Sequence, residues 1–149
     1  MKLFIGTIRT KVLLFLTLSL FTGCATKEYV QTQSAVIVFK TPNFKYSDAA
    51  FIRFSHSSVT LELYEASQAT ATLTVTPVSV CQNRLCMSAR EFNQKYLHTS
   101  YPDNTLFNVL NGFNISKELQ KEDVSYSVDT KSVRFSDRKN GILIKIRNL

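Results

Sequence analysis

Runs in which every second residue is apolar fill much of residues 35–149, and this period of two constrains the fold more than any other feature of the chain. Val59, Leu61 and Leu63 alternate with Thr60, Glu62 and Tyr64. Ala71, Leu73 and Val75 alternate with threonines at 70, 72, 74 and 76. Toward the end, Val124, Tyr126 and Val128 alternate with Ser125, Ser127 and Asp129, while Ile142, Ile144 and Ile146 alternate with Lys145 and Arg147. Successive side chains on a strand point to opposite faces, so each segment presents one apolar and one polar face. The apolar run 35–39, the segment 50–55, Val78–Val80 and the Val133/Phe135 pair add further strands. Asn140-Gly141 marks a hairpin turn.

Two segments carry a helical signature instead. Ser88-Ala-Arg-Glu91 matches a capping box, with Met87 and Phe92 at the staple positions, which predicts a helix over 89–98. Leu106, Val109 and Leu110 recur at helical spacing, with Gly112 placed to close a second short helix. Six to eight strands interrupted at about 89–112 predict a mainly β, antiparallel β-sandwich with a short helical insertion. Only Gly112 and Gly141 follow residue 23, which argues against a small closed barrel with glycine corners.

The N-terminus follows different rules. Lys2, Arg9 and Lys11 precede a ten-residue apolar stretch at 12–21, half of the roughly 20 residues needed to span a bilayer, and the pattern is that of an export signal. Phe21-Thr22-Gly23-Cys24 resembles the lipobox of bacterial lipoproteins, with Phe21 where that family usually has Leu. The resemblance implies cleavage between Gly23 and Cys24, a diacylglyceryl group on the Cys24 thiol and a fatty acyl group such as palmitate on its new amino group. The organisation expected is therefore a signal peptide at 1–23, a lipidated N-terminus and tether at 24–34, and one domain at 35–149. Ala25 stands where an Asp would retain such a protein at the inner membrane in enterobacteria, so the expected location is the cell envelope, at the outer membrane.

The remaining 126 residues suffice for one domain that buries about two-thirds of its unfolded surface. Three of the 18 basic residues lie in the signal, leaving 15 against 11 acidic ones, a net charge of +4 in place of the whole chain's +7. Once Cys24 carries lipid, Cys81 and Cys86 remain in an oxidising compartment, where a disulfide is the default. Their Cys-x4-Cys spacing is not that of a redox Cys-x-x-Cys pair. A zinc site would need two further ligands from His56 and His98, so no metal and no cofactor beyond the covalent lipid is expected. Taken together, Cys24, the early strands, Cys81-Gln-Asn-Arg-Leu-Cys86 leading into Glu91-Phe92-Asn93, and the terminal hairpin resemble the small lipoproteins of the Helicobacter–Campylobacter group. Those carry an immunoglobulin-like domain. That likeness implies an immunoglobulin-like sandwich and an envelope location, and no established activity.

No catalytic constellation stands out. His56 lies among Ser55, Ser57 and Ser58 but lacks a Gly-x-Ser-x-Gly elbow, and His98 ends the first predicted helix. Glu62 and Glu65, three apart on a strand, point to opposite faces and are not an acid/base pair. The one charge feature is terminal: Lys131, Arg134, Arg138, Lys139, Lys145 and Arg147 oppose Asp137 alone, a net +5 over residues 131–149. The sequence therefore points to a membrane-anchored, non-catalytic binding or structural module whose basic hairpin meets anionic lipid, acidic glycan or an acidic protein. The rival is a small envelope hydrolase using His56, decided by whether an acid meets His56 in a cleft. Nucleic acid is not an expected partner of an exported, anchored domain.

Overall fold

The computed structural model describes residues 29–120 and 122–149; Gly23, Cys24 and the expected signal lie outside the described residues. In chain order the elements are β1 (Gln31–Lys40), β2 (Lys45–Phe54), β3 (Val59–Glu65), β4 (Gln68–Val75), β5 (Ser79–Gln82) and β6 (Leu85–Ser88). Then come α1 (Ala89–Tyr96), α2 (Thr105–Asn111), a 3₁₀ turn (Lys117–Leu119), β7 (Val124–Val128), β8 (Ser132–Asp137) and β9 (Ile142–Asn148). Among the described residues, no helix is long and apolar enough to cross a membrane.

The chain is mainly β, as the alternation predicts. Its nine strands form one antiparallel sheet in the order β6-β5-β4-β3-β2-β1-β9-β8-β7. Two meanders, β1 to β6 and β7 to β9, join where β1 pairs with β9, and the helical insertion carries the chain from one sheet edge to the other. Hydrogen bonding does not divide the strands into two sheets. The helices pack on the apolar face.

That face is built by the alternating residues. Ile37 lies opposite Ile146, Phe39 opposite Ile144, and Leu61 between Ile52 and Leu73, all buried. Phe92 of α1 and Leu106, Phe107, Val109 and Leu110 of α2 close over them in one core. α2 lies close to both β3 and β8, four positions apart in the sheet, so it bridges the two meanders.

Strand β1 begins at Gln31, ahead of the apolar run at 35–39 and within the segment expected to be a tether. Gln31 to Ser34 are polar, yet they pair along Phe51–Phe54 of the equally long β2, and backbone bonding needs no apolar side chain. Helix α1 starts at the expected capping box: Glu91 N–H donates to Ser88 Oγ at 3.1 Å, and Ser88 N–H donates to Glu91 Oε2 at 2.8 Å. It stops at Tyr96, two residues short of the expected end. There the buried Asn93 side chain donates to the carbonyls of Tyr101 (3.3 Å) and Pro102 (3.1 Å), folding the following segment back over the helix. Gly112 closes α2 in the left-handed conformation, φ +68°.

Candidate interaction surface

The sheet's second face carries the charge. On β1, Ala35, Ile37 and Phe39 point inward, so Val36, Val38 and Lys40 point outward. Register then decides what joins them. Lys145 lies directly opposite Val38 on one side and Arg134 on the other; Arg147 lies opposite Val36 and Ser132. Lys40 faces Lys45 across β2 and Leu143 across β9. Five cations thus occupy an area of about 14 by 14 Å on strands β2, β1, β9 and β8, taking three strand spacings one way and four residues the other. Half-buried Val36, Val38 and Leu143 form the apolar ground between them.

Among the described residues, the ion pairs are Arg53–Glu62 at 2.7 Å and Arg90–Asp103 at 3.6 Å, and neither involves the five. Two like-charge pairs, Lys40–Lys45 and Arg134–Lys145, stand directly opposite each other, an arrangement that destabilises a sheet. Ion pairing among the described residues therefore leaves these five charges unneutralised.

Of the six basic residues expected to act together, three converge and three do not. Arg134, Lys145 and Arg147 share the outer face. Lys131 sits in the β7–β8 turn, and Arg138 and Lys139 sit in the β8–β9 turn, at opposite ends of a hairpin about 23 Å long. The sequence reading missed Lys40 and Lys45, which reach the patch only through the β1–β9 pairing; their placement on either side of Thr41-Pro42-Asn43 was the available signal.

Cys81 and Cys86 are disulfide-bonded, as expected, and lie directly opposite each other in the β5–β6 hairpin. The turn between them, Asn83-Arg84, has both residues at positive φ, as a type I′ turn requires. Asn83 continues the ladder: its N–H donates to Thr72 O at 2.9 Å and its Oδ1 accepts from Thr72 N–H at 2.8 Å.

His56 is exposed in the β2–β3 turn, which is closed by Ser55 and Ser58, their hydroxyls 2.8 Å apart. Among the described residues no carboxylate bonds it. Glu62 pairs with Arg53, and Glu65 ends β3 beyond a register shift at Leu63/Tyr64. His98 Nδ1 lies 2.7 Å from Ser100 Oγ, and its ring centre lies 5.8 Å from that of Tyr101.

Next to it is a buried carboxylate with three hydrogen bonds, a residue the sequence reading did not single out. Asp137, buried, accepts from Tyr101 Oη, from Asn140 Nδ2 at 2.7 Å and from Asn140 N–H at 3.0 Å, fixing the β8–β9 turn. Burial opposes its ionisation, but these hydrogen bonds and the nearby His98 outweigh it and hold the carboxyl below its usual range. Burial, and then Asp137 itself, push the Tyr101 phenol far above the usual tyrosine range. The pair is a structural pin at the end of the hairpin. Among the described residues no cluster of His, Cys, Asp and Glu has the makings of a metal site.

Comparison with protein-family models, curated proteins and solved structures finds no match to this chain.

Proposed function

We propose that this protein is a lipid-anchored envelope protein, held at the outer membrane through Cys24, that acts by non-catalytic contact between its cationic sheet face and an acidic partner in the envelope. The observation that carries this reading is the convergence of Lys40, Lys45, Arg134, Lys145 and Arg147 on one face without ion-pairing carboxylates. A face kept only soluble is better served by interspersed charges of both signs. Complementary potential then supplies register at contact, and the half-buried valines beneath supply contact area.

The lipobox-like Phe21-Thr22-Gly23-Cys24 supports the anchoring part. Because β1 begins at Gln31, residues 24–30 reach at most about 25 Å, which confines the domain to the membrane's vicinity.

The test is cross-linking mass spectrometry of the native protein in intact envelopes. Reproducible links from Lys40, Lys45 or Lys145 to acidic segments of one protein are expected. Links confined to Lys131, Lys139 or the opposite sheet edge would overturn the assignment of the face. A Cys24→Ser form that keeps its full membrane fraction would overturn the anchor.

A further inference from the structure

A second site lies on the other side of the sheet, in a cavity lined by α1 together with residues of β1, β3 and β4. Four rings run in a continuous chain along it: Phe39 to Phe44 (centres 5.4 Å apart), Phe44 to Tyr96 (6.4 Å) and Tyr96 to Phe92 (4.9 Å). Leu63, Ala71 and Leu73 form the facing wall, and the cavity, partly open to solvent, is about 230 Å³. No carboxylate lines it. At less than the roughly 300–1,000 Å³ of sites for drug-sized ligands, it suits a slender chain and not a fused ring system.

α1 places a cation beside this cavity. Lys95 Nζ sits 5.1 Å from the centre of the Tyr96 ring, and Asn43 Nδ2 ties the β1–β2 turn to the Lys95 carbonyl at 2.8 Å. That turn carries Phe44, while the lysines on either side of it, Lys40 and Lys45, belong to the outer face. The only acid on α1, Glu91, is turned back onto Ser88. An apolar cavity beside a lysine suits an apolar tail with an anionic head.

We propose that this cavity binds a single-chain amphiphile with a carboxylate head, the class of a medium-length fatty acid. The alkyl chain lies against the four rings and the carboxylate meets Lys95. The site is separate from the outer cationic face, and nothing in its recognition depends on the partner proposed for that face.

The experiment uses the full-length lipidated chain in native envelopes and dodecanoic acid bearing a diazirine at its methyl end. Irradiation is expected to give saturable labelling on the peptides that hold the four rings and the 71–73 wall. Competition by octanoate, decanoate and dodecanoate should strengthen about fourfold per methylene, the equivalent of about 0.8 kcal/mol each. Dodecanol should compete more weakly than dodecanoate. Lys95→Glu should weaken dodecanoate about fivefold while leaving dodecanol unmoved. Ala71→Phe fills the cavity from its wall and should abolish labelling, with Ala71→Leu as the smaller intrusion if the phenylalanine prevents folding. Labelling spread over the surface, a flat chain-length series, or full labelling of a folded Ala71 variant would overturn the site. Equal competition by dodecanol and dodecanoate would overturn the carboxylate preference.

Discussion

Replacing Tyr101 by Phe removes one oxygen and leaves the ring contact with Phe135, whose centre lies 5.8 Å away. What is lost is the hydrogen bond from a buried phenol to the buried Asp137 carboxylate. A hydrogen bond to a charged group contributes about 1.5–3 kcal/mol. Asn140 keeps two donors on Asp137, so the lower half of that range, about 2 kcal/mol, is expected. For a domain near 120 residues this lowers Tm by about 6–10 °C. Circular dichroism melts of a soluble form starting at residue 24 with Cys24→Ser, with and without Tyr101→Phe, measure it. The pH dependence separates a charged bond from mere packing. Asp137 is depressed in the folded state, so its contribution is present above the unfolded value near 3.9 and is lost as pH falls through the folded one. Tyr101 is raised in the folded state, so its contribution is complete below about pH 10. Above that it declines by about 1.4 kcal/mol per pH unit, as the unfolded chain releases the proton that the folded chain keeps. The deficit of Tyr101→Phe should therefore be largest between about pH 5 and 9 and shrink at both ends. An equal deficit at pH 3 and pH 7 would refute the reasoning.

Three further outcomes follow from local geometry, and one from the outer face. Reducing the Cys81–Cys86 bond should lower stability by about 2 kcal/mol at most, because it closes a hairpin of only six residues, as melts with and without dithiothreitol would show. Ser88→Ala removes the acceptor of the Glu91 N–H and should cost about 1 kcal/mol, with faster amide exchange confined to the first turn of α1. Gly112→Ala forces a side chain into the left-handed region and places its Cβ 3.3 Å from Val128 Cγ1; a loss of about 1–2 kcal/mol in urea unfolding is expected. Arg134→Glu sets an opposite charge beside Lys145 and should raise stability by about 0.2–1 kcal/mol while weakening salt-sensitive binding to the acidic partner.

The legible parts of the fold were those encoded within a few neighbouring residues. The alternation at 59–64 and 142–147 identified inward and outward side chains, the Ser88/Glu91 box placed the start of α1, and Gly112 placed the end of α2. What stayed hidden depends on register between distant segments. Nothing near Gln31 announces a strand, since its reason for being one is Phe54. Ala66-Ser67 turns β3 into β4 with both residues at positive φ and no glycine, so tertiary pairing overrides local preference there. Asp137 and Tyr101 are 36 residues apart, and the partners of the cationic face, Lys40 and Lys145, are brought together by the β1–β9 pairing alone.

That pairing also explains why the outer face suits an anchored protein. At physiological ionic strength a charge is screened within about 8 Å, less than the width of the patch itself, so five cations do little for a partner approaching from a distance. They act once the two surfaces are nearly touching. A chain confined to the membrane by its proposed lipid meets partners there at high effective concentration, and weak screened contacts then suffice. The two repulsive cross-strand pairs fit the same account. Arg134 opposite Lys145, and Lys40 opposite Lys45, cost stability in the isolated domain, a cost that the proposed acidic partner would relieve. Stability of the free domain and affinity of the face should therefore move in opposite directions as these four positions are neutralised.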